Sequence, residues 1–375
     1  MRVKTNPIRK LTELGQSLWL DFIQRDLLTS GRLERLIEDD DLRGMTSNPA
    51  IFEKAIDGSQ DYDAAIAALS QAGKSVEQIY SALTIKDIQE AADAFRPVYD
   101  RLDGRDGFVS LEVSPHLARD TEGTVAEARD LWRQLDRPNV FIKIPGTREG
   151  LPAIRTCISE GINVNVTLLF GLPRYREVAE TFIAGLEDRA ERGEPLGRVA
   201  SVASFFLSRI DVLVDPMLGD LEGKQGTPAE LAHRVRGQTA IASAKLAYQI
   251  YLEIFHSERF RSLAARGARA QRVLWASTST KDPAYSDVKY VEALIGAETV
   301  NTVPMETLEA YRDHGDPKAR LQEDVGQARL VMGALAELGI DIDRVTQQLE
   351  DEGVEKFVKP YQSLMDSLRK KCAGA

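Results

Sequence analysis

Val140-Phe141-Ile142-Lys143-Ile144-Pro145-Gly146 reads as a strand buried on both faces, with one lysine in an otherwise apolar run. Strands covered on both faces belong to parallel sheets with helices packed outside them. Working outward, short apolar or β-branched runs recur at residues 18–23, 43–47, 108–113, 163–168, 200–205, 272–277 and 299–303. With 140–144 they make eight. Stretches of helical spacing lie between them, among them 75–102, 121–135, 172–192 and 228–255. Eight strands alternating with helices predict an α/β fold, a single (β/α)8 TIM barrel over residues 1–375. Residues 46–106 are long for one crossover and predict two or three helices after the second strand. Three amphipathic stretches follow the last strand, at 305–312, 321–338 and 353–370. The last carries a stripe of Val354, Phe357, Val358, Tyr361, Leu364 and Leu368, the pattern of a helix packed across the barrel.

The bulk composition narrows the function. At 43% hydrophobic and 28% charged it is that of an ordinary globular protein. A formal charge of −10 without a sustained basic run argues against nucleic acid as a partner. It leaves room for a phosphorylated substrate, which needs only a local group of cations. Cys157 and Cys372 have no second cysteine or histidine at ligand spacing, and the four histidines are scattered, so no metal site is expected. Met1-Arg2-Val3-Lys4-Thr5-Asn6 lacks the apolar core of a signal peptide, and no run of about 18 apolar residues could span a membrane. A cytoplasmic protein is expected. No motif specifies an oligomeric state.

Within the strands, polar residues recur with a period of two. Asn163, Asn165 and Thr167 alternate with Val164, Val166 and Leu168; Ser110, Glu112 and Ser114 alternate with Leu111 and Val113; Trp19 and Asp21 share a face. A barrel interior lined this way is costly unless the groups satisfy one another or a ligand. Asp21, Asn48, Glu112, Lys143 and Thr167 each fall at or near the carboxyl end of a strand, where barrels carry their catalytic groups. A lone buried lysine has two readings. It can be structural, paired with a carboxylate. Alternatively, desolvation favours the neutral amine, which attacks a carbonyl to form a Schiff base. Asp21 and Glu112 are the candidate proton shuttles for such chemistry. Asn48, Asn165 and Ser204 can hydrogen-bond a polyol, and Arg209 can pair a phosphate. Lys281 can assist at a neighbouring strand end. Taken alone, Arg209 and Lys281 fit surface ion pairs equally well.

Two motifs resemble those of the transaldolases. Thr46-Ser47-Asn48-Pro49-Ala50-Ile51-Phe52-Glu53-Lys54-Ala55-Ile56 is similar to the N-terminal signature of that family, and Asn139-Val140-Phe141-Ile142-Lys143-Ile144-Pro145-Gly146-Thr147 to its active-site lysine motif. Trp19-Leu20-Asp21, Leu111-Glu112-Val113 and Asn163-Val164-Asn165-Val166-Thr167-Leu168-Leu169-Phe170 follow in the family's order. The resemblance runs from about Leu11 to the last helix, and is closest to the longer bacterial type that opens with a helix like 11–17. It implies a class I aldolase barrel that uses no cofactor and transfers a dihydroxyacetone unit between sugar phosphates. Sedoheptulose 7-phosphate would donate to glyceraldehyde 3-phosphate, giving erythrose 4-phosphate and fructose 6-phosphate in the pentose phosphate pathway.

By the same resemblance Lys143 would form the imine, and Asp21 would move the proton of the C4 hydroxyl. Glu112 with Thr167 would hold the water of imine formation. Asn48, Asn165 and Ser204 would orient the dihydroxyacetone hydroxyls, with Arg209 on the phosphate. One departure is plain: many relatives carry a second phosphate-binding arginine in a Ser-x-Arg-Asn context, where this chain reads Ala276-Ser277-Thr278-Ser279-Thr280-Lys281. Lys281 is the nearest cation there. With its last residue at Ala375, the chain is expected to lack the phosphoglucose isomerase domain fused to some relatives. Two alternatives stay open at this level: a related aldolase that releases free dihydroxyacetone, and a non-catalytic sugar-phosphate-binding barrel.

Overall fold

Eight parallel strands close on themselves in chain order: β1 (Gln16–Asp21), β2 (Gly44–Thr46), β3 (Phe108–Glu112), β4 (Val140–Pro145), β5 (Val164–Leu169), β6 (Ser201–Phe206), β7 (Arg272–Ala276) and β8 (Thr299–Val303). The last pairs back onto the first, with Gln16 opposite Thr299 and Leu20 opposite Val303. This computed structural model describes residues 6–373, so all but Asn6 of the stretch read for a signal peptide lies outside the described residues. Every strand expected from the sequence is present, and the architecture is the expected (β/α)8 barrel with added helices. Among the described residues no helix is long and apolar enough to cross a membrane.

The barrel interior is filled from its amino end by stacked aromatics. The rings of Phe108 and Phe141 lie 4.3 Å apart, and Trp19 stacks on Phe141 at 6.0 Å. This apolar plug supports the polar layer above it. The long excursion after β2 forms three helices, Pro49–Asp57, Asp63–Gln71 and Val76–Arg101, the last opened by a capping box between Ser75 and Gln78.

Several boundaries differ from the sequence expectation, each for a local reason. The first helix is Pro7–Glu13 rather than 11–17, because Asn6 caps it and Pro7 fixes its first turn. Gly15, at φ +84°, then turns the chain against Ala297, so β1 starts at Gln16 instead of 18. The stretch 228–255 is two helices, Thr227–Val235 and Thr239–Phe255. Between them Gly237 adopts φ +71°, and two aspartates of the helix Ser208–Glu222 capture the freed amides. Asp215 accepts from Gly237 N–H at 2.8 Å, and Asp211 from Ala240 N–H at 2.8 Å. The expected stretch 321–338 is helical over Val325–Glu337, and 353–370 is part of a longer helix, Ile342–Ala373. That final helix packs on Pro49–Asp57, Val76–Arg101 and Ser208–Glu222 and touches β5, so it runs across the carboxyl end of the barrel.

Candidate active site

Register places the lysine. β3 and β4 pair with Glu112 opposite Lys143, which puts both side chains on the same inward face. Lys143 is 4% exposed; its Nζ lies 3.3 Å from Glu112 Oε2 and donates to the Ser47 carbonyl at 3.1 Å. The ring of Phe357, from the final helix, is 5.5 Å from the same nitrogen. A buried amine with, among the described residues, a single carboxylate at ion-pair distance and an aromatic face beside it is held in place and poorly solvated.

Both carboxyls of the site are pushed towards their protonated forms. Burial raises Glu112 to about 7, against the pull of the Lys143 charge, and the negative charge of Asp21 adds to the rise. Its two oxygens make no hydrogen bond among the described residues, although the Lys143 charge lies nearby. Thr167 Oγ1, on the neighbouring β5 and fully buried, is also without a partner among the described residues. Just past it, Leu168 takes φ +61° where the β5–β6 register shifts between Val166 and Leu169. That bulge interrupts the regular ladder at the level of Thr167, and pairing resumes with Leu169 opposite Phe205.

Asp21 ends β1 opposite Thr46 of β2 and accepts from its hydroxyl at 2.7 Å. Thr46 Oγ1 is in turn 2.7 Å from Thr302 Oγ1. Since Thr46 has one proton to give, an ionised Asp21 fixes the sense of this chain, with Thr302 donating to Thr46. Burial raises the Asp21 carboxyl; Lys143, the Thr46 hydrogen bond and Arg209 oppose it, and Glu306 reinforces it.

Asp21, Asn48, Lys143, Ser204, Arg209 and Lys281 line one cavity of about 460 Å³ at the carboxyl end of the strands. Asn48 caps the helix Pro49–Asp57, its Oδ1 accepting from Ile51 N–H at 3.0 Å, so the amide NH2 is the group left for a ligand. Asn165 is fully buried and does not line the cavity. Its amide donates to Ser110 Oγ at 3.1 Å and accepts from Ser204 Oγ at 2.7 Å, so it reaches the cavity only through Ser204. Glu112 and Thr167 likewise lie in the buried layer behind Lys143. Burial lowers the pKa of the Arg209 guanidinium, whose Nη1 has no partner among the described residues and which lies 5.5 Å from the Phe206 ring. Lys281 is exposed and, among the described residues, donates only to Ser279 Oγ, at 2.6 Å.

The wall also includes residues given no role by the sequence reading: Thr46, Thr302, Glu306, Lys54, Lys356 and Phe357. Thr46 and Lys54 sit inside the quoted motif and were within reach. The others come from distant segments brought together by closure of the barrel and by the final helix, and no local pattern marks them. Lys54, Lys281, Lys356 and Arg209 make the cavity mouth cationic in a chain of net charge −10. A phosphorylated polyol with a carbonyl fits such a site: cations for the phosphate, hydroxyl and amide partners for the polyol, and a buried amine for the carbonyl.

A sequence model of the family described as transaldolase/fructose-6-phosphate aldolase matches residues 18–368. The chain is similar to a curated transaldolase of Trichodesmium erythraeum, 49% identical over 371 residues that cover 98% of each chain. It is similar to a transaldolase of Thermobifida fusca, 48% identical across 98% of this chain and 99% of the relative. One from Thiobacillus denitrificans is 48% identical across 96% and 99%.

Proposed function

Because the chain belongs to the transaldolase/fructose-6-phosphate aldolase family and is an enzyme of the transaldolase type, we propose that Lys143 carries the dihydroxyacetone unit as an imine. The observation that supports this most is the Lys143 amine itself, buried on the wall of a cationic cavity with Glu112 at 3.3 Å and Asp21 on the same wall. Sedoheptulose 7-phosphate or fructose 6-phosphate enters with its phosphate on Arg209 and Lys281. The amine attacks C2. Ionised Glu112 takes a proton from the Lys143 ammonium to free the attacking amine, a second proton passes from the nitrogen to the C2 oxygen through water held with Thr167, and protonated Glu112 gives its proton to the hydroxyl that leaves the carbinolamine as water. Asp21 then removes the C4 hydroxyl proton, the C3–C4 bond breaks, and the aldose leaves. The electron pair stays on the three-carbon unit as an enamine, with the imine as electron sink. Addition of the acceptor aldehyde reverses the steps. Asn48 and Ser204 orient the hydroxyls, and Asn165 acts through Ser204. We place the enzyme in the cytoplasm, a reading that the two free cysteines fit.

Borohydride reduction with fructose 6-phosphate tests the central step. The expected result is a stable three-carbon adduct on the peptide containing Lys143, and its loss in Lys143→Arg, whose guanidinium is not nucleophilic near neutral pH. Label on a different lysine would overturn the assignment. Measuring free dihydroxyacetone in a parallel incubation without borohydride separates the transferase from an aldolase.

A further inference from the structure

A transferase of this kind must hold a reactive enamine until an aldehyde arrives. Hydrolysis is the competing fate. The enamine carbon takes a proton from water, water adds to the resulting iminium carbon, and the carbinolamine expels the lysine amine. Overall, one enamine and one water give one dihydroxyacetone and one free amine. What restrains this reaction must sit over the Lys143 nitrogen.

One side chain does, and it comes from outside the barrel strands. Phe357 is buried, lines the cavity and holds its ring 5.5 Å from Lys143 Nζ. Its helix, Ile342–Ala373, is fixed on both sides of that residue. Two turns before it, Glu350 accepts from Arg174 at 3.2 Å. One turn before it, Gly353 lies so close to the β5 bulge that an added Cβ would stand 3.0 Å from Leu168 Cδ2. One turn after it, Tyr361 packs edge-on against Tyr80 at 5.3 Å, and about four turns after it Lys371 pairs with Asp63 at 2.8 Å. These contacts make Phe357 a fixed roof rather than a moving lid.

We infer that Phe357 decides whether the three-carbon unit is transferred or hydrolysed, by covering the Lys143 nitrogen and its enamine against water. The inference rests on the Schiff-base reading above. It gives a reason for the final helix to cross the barrel mouth: the ring shields the nitrogen side, while the cationic side with Arg209 and Lys281 admits the sugar phosphates. An apolar wall at this point also favours an aldehyde over water as the partner of the enamine.

The test supplies fructose 6-phosphate alone and oxidises the released glyceraldehyde 3-phosphate as it forms, so that no acceptor accumulates. Wild type should give about one equivalent of aldehyde per site and then stall, with the adduct trapped on Lys143 by borohydride. Phe357→Ala should give the same burst followed by steady turnover, with dihydroxyacetone released at least tenfold faster than by wild type. Phe357→Leu, which keeps the core filled, should leak to an intermediate extent with an unchanged melting temperature. Stalling of both variants as in wild type, with the adduct still trapped, would overturn the inference. So would loss of the adduct in the folded variants, since the ring would then serve imine formation rather than its protection. No label on Lys143 in wild type would instead count against the Schiff-base reading itself. Steady dihydroxyacetone release by wild type would overturn the inference too, because no protected enamine would exist.

Discussion

Two cavities of nearly equal size open at opposite ends of the barrel, about 460 Å³ at the carboxyl end and about 470 Å³ at the amino end. Both are rich in cations. At the amino end, Arg43 pairs with Asp41 at 2.9 Å, Arg269 with Asp103 at 3.1 Å and Arg272 with Asp106 at 3.4 Å. Asp106 also accepts from the Trp19 indole at 2.8 Å and from Ser17. At the carboxyl end the balance is different: Glu112 faces the Lys143 ammonium at 3.3 Å but neither of its oxygens makes a hydrogen bond among the described residues, and the Thr167 hydroxyl and Arg209 Nη1 are likewise buried without one. Size and charge therefore do not tell the two cavities apart. Unmet hydrogen-bonding capacity on charged groups does: the buried orphan lining the amino-end cavity is the neutral Gln16 Oε1, whereas at the carboxyl end a carboxylate and a guanidinium nitrogen lack hydrogen-bond partners among the described residues, a cost that a ligand can offset. One end of the barrel uses its charges to hold the strands together, and the other keeps them for chemistry.

The largest effect at the chemical end is expected at Asp21. Asp21→Ala removes the group assigned to the carbon–carbon step, and transfer should fall by roughly a hundred- to ten-thousand-fold. Imine formation should survive. The uncleaved ketose then accumulates on Lys143, and mass analysis of the reduced peptide shows six carbons rather than three. A three-carbon adduct appearing at the normal rate would remove Asp21 from the cleavage step.

Glu112 gives the next largest effect and a distinct pH signature. Burial raises its carboxyl to about 7, so below that pH it is protonated and cannot accept a proton. Formation of the adduct should slow by about tenfold per pH unit on the acid side of that value. Glu112→Gln should be slow throughout and lose this limb. A variant that keeps the wild-type profile would assign the limb to another group.

Much of this contrast was legible in the sequence, and the limits are physical. Strands buried on both faces must be apolar, so the polar residues at Asp21, Glu112, Lys143 and Thr167 stood out against their own strands. Register was not legible, since the pairing of Glu112 with Lys143 depends on how eight strands tilt on closure. The break at Gly237 was missed because it depends on Asp211 and Asp215 from another helix. Asn165 looked like a ligand-facing group by alternation alone, yet it is one layer too deep and meets the cavity through Ser204. Phe357 looked like one more residue of a core stripe, and nothing in its local pattern distinguishes a ring over Lys143 from a ring in the core.

The cations at the mouth sharpen the contrast at a smaller scale. Arg209→Ala removes a half-buried guanidinium with a donor free for phosphate, and KM for fructose 6-phosphate should rise on the order of ten- to a hundredfold. Unphosphorylated fructose should be processed as by wild type. Lys281→Met should raise the same KM by only a few fold, since an exposed ammonium acts as a screened point charge. Equal effects on both sugars would mean that these residues shape the cavity rather than bind phosphate.

The amino end supplies the control, with the smallest effect on catalysis. Asp106→Asn removes the carboxylate shared by Arg272, Trp19 and Ser17. Arg272 keeps its hydrogen bonds to Ser17 Oγ at 2.8 Å and to the Arg105 carbonyl at 2.9 Å, so its charge is left poorly compensated but not stranded. Breaking such a partly buried pair should cost about 2 kcal/mol, below the range for a fully buried one, and lower the melting temperature by a few degrees. The kcat/KM of the folded variant should stay within about twofold of wild type, because the stacked Trp19, Phe141 and Phe108 rings separate this end from the polar layer of Lys143. A loss of kcat/KM as large as that of Arg209→Ala, at temperatures well below melting, would show that the two ends of the barrel are coupled and that the division between a structural end and a chemical end does not hold.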